Sequence, residues 1–159
     1  MFGEIVAENL PIILFQTCGG SIENIKALIS NNSAPDVSRI SAVDSLLYAV
    51  AEDYVSREEV LRFLSTLFTG KETDSSSRFW SLIAMYICDL CPDRNTFKII
   101  ENAYNKGLIS RGMINCEEFE ESIGFGYQRA IKELKQRKEQ NIPDNIHEAM
   151  SWWACFEDD

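Results

Sequence analysis

Residues 35–68 read PDVSRISAVDSLLYAVAEDYVSREEVLRFLSTLF, and this stretch decides the fold. Ala42, Val43, Leu46, Leu47 and Val50 recur at helical spacing and form one apolar stripe. A short polar break follows, then Ser56-Arg57-Glu58-Glu59, which has the pattern of a capping box. In that motif a serine and a glutamate satisfy each other's backbone N–H at the start of a helix. The helix it opens carries Val60, Leu61, Phe63, Leu64, Leu67 and Phe68. Neither helix can bury its stripe alone and few residues separate them, so the pair folds back antiparallel.

Upstream of this hairpin, Asn9-Leu10-Pro11 predicts a helix entry, with Asn9 as cap and proline in the first turn. Ile5 and Val6 belong either to a preceding turn or to the same helix kinked at Pro11. Cys18-Gly19-Gly20 ends that helix, and Ser21 caps a next one burying Ile22, Ile25, Leu28 and Ile29. Downstream, the polar run GKETDSSS at residues 70–77 reads as a loop rather than a domain boundary. Phe79, Trp80, Leu82, Ile83, Tyr86, Ile87 and Leu90 make the most hydrophobic helix, stopped by Pro92. Asp93 opens a helix with Phe97, Ile99, Ile100, Ala103 and Tyr104 inward, and Gly107 ends it. The longest helix is predicted from Glu117 to Gln140, acidic at its start and basic at its end as the helix dipole favours. Gly124 and Gly126 within it imply close packing or a local kink. A turn at Pro143 leads to a last helix with Ile146, Met150, Trp152 and Trp153.

Composition agrees with this reading. The 159 residues are 45% hydrophobic and 11% aromatic, with only 4 prolines and 8 glycines. They suit one packed domain, residues 1–159, rather than disorder or a turn-rich β fold. A net charge of −10 disfavours attraction to nucleic acid or anionic lipid. Five irregularly spaced cysteines read as reduced thiols of a cytoplasmic protein. The longest N-terminal apolar run, Leu10 to Phe15, is too short to span a membrane, and no targeting segment is evident.

Matching the helices gives Ile25, Val60 and Phe97 in register, then Leu28, Phe63 and Ile100, and separately Val43 with Ile83 and Leu46 with Tyr86. The period, about 35 to 40 residues with two helices each, is that of HEAT-like α-solenoids. The competing reading is an irregular helical bundle with accidental spacing. The predicted class is therefore all-α, with antiparallel hairpins stacked as a short HEAT-like solenoid of about seven or eight helices.

Four stretches together carry a family resemblance: FGEIVAENLPIILFQTCGG, SAVDSLLYAVAEDYVSREEVLRFLSTLF, AYNKGLISRGMI and NIPDNIHEAMSWWACF. Their order and wording resemble the bacterial family called domain of unknown function 1186, from Phe2 to Phe156. The resemblance implies a helical-repeat fold and no established activity, so it carries over no catalytic residue. Members usually have further helical sequence ahead of the piece matching Phe2, and some have a cysteine-rich metal-binding tail after the piece matching Phe156. It therefore implies either a natural short form or a piece of a longer protein.

No catalytic constellation stands out. Cys88-Asp89-Leu90-Cys91 is a C-x-x-C, but a second close pair that would complete a zinc site is missing. The pair also sits at a helix C-terminus, where the dipole raises thiol pKa rather than lowering it. No cofactor or metal is expected, and both cysteines are expected to be dispensable for folding. His147 is the sole histidine, which leaves no multi-histidine metal site. Gly19-Gly20 lacks the lysine and threonine of a phosphate-binding loop.

Two features point to partners instead. Trp152-Trp153-Ala154-Cys155-Phe156 is either a cap over the last hydrophobic layer or a binding edge, in which Trp152, Trp153 and Phe156 are the contacts. Ile12, Ile13, Leu14 and Phe15 are more consecutive apolar residues than one helix face hides. Ile12 and Phe15 are therefore expected on an N-terminal edge that binds a second copy or a protein partner. The leading functional expectation is a non-catalytic protein-binding scaffold. The alternative is an acidic inhibitor that imitates nucleic acid and occupies a basic site on its partner; an enzyme is the least expected.

Overall fold

A computed structural model of the chain describes residues 2–74, 77–110, 112–114, 120–121, 123–124 and 126–142. Seven helices are assigned among them and no strand. They are α1 (Phe2–Thr17), α2 (Glu23–Ser30), α3 (Asp36–Ala51), α4 (Arg57–Ser65), α5 (Phe79–Asp89), α6 (Arg94–Asn105) and α7 (Tyr127–Asn141).

α3 is the axis of the molecule. From Ser41 to Ala51 every residue is buried, so the helix hides its whole circumference and not one stripe. The reason is that α1 and α5 flank it, α2 and α4 pack on another side, and α7 closes over it. α4 in turn packs on α5 and α6. The helices thus fall into a row of α1, α3 and α5 and a second row of α2, α4 and α6. This layout is consistent with stacked antiparallel hairpins.

The local signals act where the chain carries them. Ser56 caps α4 by accepting the Glu59 N–H at 3.2 Å. The Glu59 carboxylate turns away to Lys26 on α2, at 2.6 Å, so the box is half made and its glutamate joins two helices instead. Asp93 caps α6 by accepting the Thr96 N–H at 2.7 Å. Gly19 and Gly20, with φ of 60° and 81°, turn the chain after α1. α5 ends at Asp89, and Cys91, just ahead of Pro92, stands at φ 51°, which a right-handed helix cannot contain.

Four boundaries differ from expectation. α1 begins at Phe2 rather than at Asn9 and runs through Pro11. The hydrogen bond a proline removes is outweighed by packing of α1 on α3 and α7. Ile22, not Ser21, stands at the N-cap of α2, and no side chain caps it. α4 ends at Ser65, while Leu67 and Phe68 are buried beyond it. The single long helix expected over 117–140 is broken at Gly126, whose φ of 83° a right-handed helix cannot contain. A Cβ at Gly126 would meet nothing within 4 Å, so backbone conformation and not close packing explains the glycine there. The segment after Pro143, with Trp152 and Trp153, lies outside the described residues.

The loop at 70–77 is far from a plain linker. Glu72, only 8% exposed, accepts the N–H and hydroxyl of Thr69 on Oε1, at 3.2 and 2.5 Å. Its Oε2 accepts the N–H groups of Gly70 and Lys71 and the indole N–H of Trp80, each at 3.0 Å. Arg39, 1% exposed on α3, lies against the Phe79 ring at 3.9 Å. It donates to the Ile29 carbonyl at 2.9 Å, the Glu72 carbonyl at 2.8 Å and Asp36 at 3.1 Å. One guanidinium therefore joins the end of α2, the start of α3, the loop and α5. Asp36 completes the set by accepting hydroxyl hydrogen bonds from Thr73 and Ser77.

Candidate functional site

Arg57, the first residue of α4, sets the geometry of the second row. Its Nε donates to the Leu90 carbonyl at 2.7 Å and its Nη2 donates to the Cys91 carbonyl. Those are orphan carbonyls at the end of α5, and satisfying them ties α4 to the turn that starts α6. The N-terminal turns of α4 and α6 consequently open at the same end of a shared groove.

The groove has a volume of about 460 Å³. Arg57, Glu58, Asp93, Asn95 and Thr96 line one end, and Arg62, Ser65 and Thr66 the other. Leu61 and Ile99 supply apolar surface between them. Ile99 is 39% exposed, in contrast to its expected inward position, because its neighbour Ile100 takes the buried side of α6. Both acidic groups are held ionised. The Thr96 N–H keeps Asp93 below the ordinary carboxylate range. Glu58 is lowered by its own backbone N–H and then by Arg57. Two guanidiniums and two carboxylates around apolar surface can recognise a polar segment with an apolar side chain. Neither carboxylate is tuned to hold a proton near neutrality.

A second charged cluster lies under α7. Arg137 forks to Asp44 on α3 at 3.0 Å and to Asp89 on α5 at 2.9 Å. Asn141 donates to the Tyr48 hydroxyl at 3.0 Å, and Lys138 reaches Glu52 at 2.6 Å. Burial pushes the Asp44 carboxyl up, against the lowering effect of Arg137. Burial likewise raises the Tyr48 and Tyr86 hydroxyls. Sequence reasoning missed this cluster because Leu46, Leu47 and Val50 dominate the pattern of α3. A usable signal was there: Asp44 is the one charged residue between Ile40 and Ala51, as in a helix buried all round.

The expected site residues fall as follows. Ile12 is 4% exposed and packed inside the fold, in contrast to the surface position expected of it. Phe15 is half-buried, edge-on to Tyr54 at 5.5 Å and under Lys138 at 5.3 Å. Packing of α3 and α7 on α1 covers most of the apolar quartet, leaving Ile13 as its exposed member at 40%. Of the expected N-terminal edge, Ile12 is thus buried, Leu14 and Phe15 partly so and Ile13 exposed. Trp152, Trp153 and Phe156 lie outside the described residues, as do Cys116, Cys155 and His147. Cys18 and Cys91 are free thiols, and burial pushes the Cys91 thiol up, away from a reactive thiolate. Among the described residues no group of three or more His, Cys, Asp or Glu side chains is placed to hold a metal ion. Among them too, no helix is long and apolar enough to cross a membrane.

Fold and groove together define an all-α protein of packed antiparallel helices with a polar-rimmed cleft between two of them. The family model described as Protein of unknown function (DUF1186) matches residues 1–157, and the chain belongs to that family. Neither a curated protein nor a solved structure matches it.

Proposed function

We propose that the chain is a non-catalytic protein-binding scaffold of HEAT-like repeat type, working in the cytoplasm. Its α4–α6 groove receives a segment of a partner protein. The observation that carries this reading is the groove itself, in which Arg57 and Arg62 share the rim with Glu58 and Asp93 while Ile99 stays partly exposed between them. A hydrophobic anchor site inside a mixed-charge rim is the usual anatomy of a protein interface. The two arginines favour this over imitation of nucleic acid, for which a uniformly acidic surface is needed. The free thiols of Cys18 and Cys91 fit a reducing compartment.

The reading is tested with Ile99→Asp and Arg62→Glu in the full chain, immobilised and exposed to extract of the source cells. Proteins retained specifically by the wild type are expected to be lost from both variants, by tenfold or more. Both sites are on the surface, so helicity and melting are expected to be unchanged. Retention of the same proteins by well-folded variants would remove the groove from the function.

A further inference from the structure

Most charges around the α4–α6 groove are already answered within the chain. Arg57 spends Nε and Nη2 on the Leu90 and Cys91 carbonyls, and Nη1 on Glu58 at 3.0 Å. Asp93 spends one carboxylate oxygen on the Thr96 N–H at 2.7 Å, inside the cap of α6. Arg62 is the exception. It is exposed, it lines the groove, and it makes no hydrogen bond or ion pair with any described residue. The two acids placed to answer it on its own helix are Glu58 at i−4 and Glu59 at i−3. Arg57 holds the first at 3.0 Å and Lys26 of α2 the second at 2.6 Å. The last turn of α4 suits a cation, but the helix dipole there amounts to about half a charge and leaves the guanidinium short of a counter-ion.

The surroundings of Arg62 define what would answer it. The Ser65 and Thr66 hydroxyls donate to the Leu61 and Phe63 carbonyls, each at 2.7 Å, so their hydrogens are spent. Arg62 therefore supplies the donors at that end of the groove, in the planar fork that fits a carboxylate. Leu61 and Ile99 set apolar surface beside it.

We propose that the groove selects an acidic amphipathic segment of its partner. One bulky apolar side chain lies against Leu61 and Ile99, and an aspartate or glutamate within about one helical turn of it is forked by Arg62. This selection presupposes the groove as the binding surface proposed above, and adds which partners it takes. The chain's charge of −10 opposes an acidic partner at long range. Physiological salt cuts the reach of that repulsion to about 8 Å, so the contact with Arg62 decides once the segment is seated.

The test selects a random peptide library, displayed on phage, on the immobilised full chain, and measures enriched peptides with a fluorescent label. They are expected to pair an apolar residue with an acid and to lose binding with Ile99→Asp. Arg62→Glu sets like charges face to face and is expected to weaken them by about tenfold or more. Replacing the peptide's acid by lysine is expected to weaken binding to the wild type to a similar degree and to restore binding to Arg62→Glu. Peptides that need Ile99 but tolerate loss of their acid would overturn the charge selection and leave the groove as a binding surface. Peptides indifferent to Ile99→Asp, or no enrichment at all, would overturn both. If circular dichroism shows Arg62→Glu unfolded, Arg62→Gln takes its place. An acid requirement that persists unchanged in that variant assigns the selection elsewhere and overturns the role of Arg62.

Discussion

Replacing Arg39 by methionine is expected to lower the unfolding free energy by about 3–5 kcal/mol, the range for losing one member of a buried ionic network. For a chain of this size that corresponds to a fall in melting temperature of roughly 10 °C. Methionine keeps the aliphatic stem against Phe79 but donates nothing. The carbonyls of Ile29 and Glu72 are then buried without their donor, and Asp36 loses its cation. Arg39→Lys is expected to recover only a minor part, because one ammonium cannot span acceptors that a planar guanidinium reaches from its Nε and Nη1. Urea unfolding followed by circular dichroism measures both. A loss under about 1 kcal/mol for the methionine variant would mean that the network is ornamental.

The second large effect is at Glu72. Glu72→Gln is expected to cost about 2–3 kcal/mol at neutral pH, because the amide NH2, itself a donor, must face N–H or O–H donors that a carboxylate oxygen accepted from. The pH dependence follows from the direction of its shift. Burial alone would raise the Glu72 carboxyl, but hydrogen bonds from Thr69, Trp80 and the backbone outweigh it and hold the group below its ordinary value. The ionised form therefore stabilises the fold. That stabilisation is complete above the ordinary glutamate pKa, near 4.3, and is lost as pH falls through the lower folded value. Wild type and Glu72→Gln should differ most at neutral pH and converge on acidification, when unfolding free energies are compared from about pH 7 to pH 3. Parallel curves would show that the carboxylate is not what organises the loop.

These two residues also mark how far the sequence could be read. Signals confined to a few neighbouring positions were legible: Ser56 and Asp93 as caps, Gly19-Gly20 as a stop, Pro92 as the end of α5. The apolar positions of α2, α4 and α5 were legible too, since burial on one face leaves a periodic trace. Arg39 was not, because its partners lie in α2, in the loop and in α5, and no local pattern couples them. Glu72 was hidden for the same reason: GKETDSSS has a linker's composition, and only the folded arrangement makes a nest of backbone donors around its carboxylate. Pro11 and Gly126 each left two readings open, which only the folded structure decides. Tertiary packing carries α1 through a proline, while a long run of good helix formers breaks at one glycine. The groove was half legible. Its Arg57 and Glu58 were read within a capping box and Asp93 as a helix start, but Ile99 looked like core, because two adjacent isoleucines on a helix do not declare which of them turns outward.

The central claim, that the α4–α6 groove binds a protein, is tested most directly by photo-crosslinking from within it. A photoreactive residue placed at Ile99 in the full chain, and as control at Met85, exposed on α5 and outside the groove, is irradiated in the source cells. The account predicts a discrete crosslinked protein from position 99 that is absent from position 85 and disappears when Arg62→Glu is added. The same products from both positions, or none from position 99 in folded protein, would contradict it.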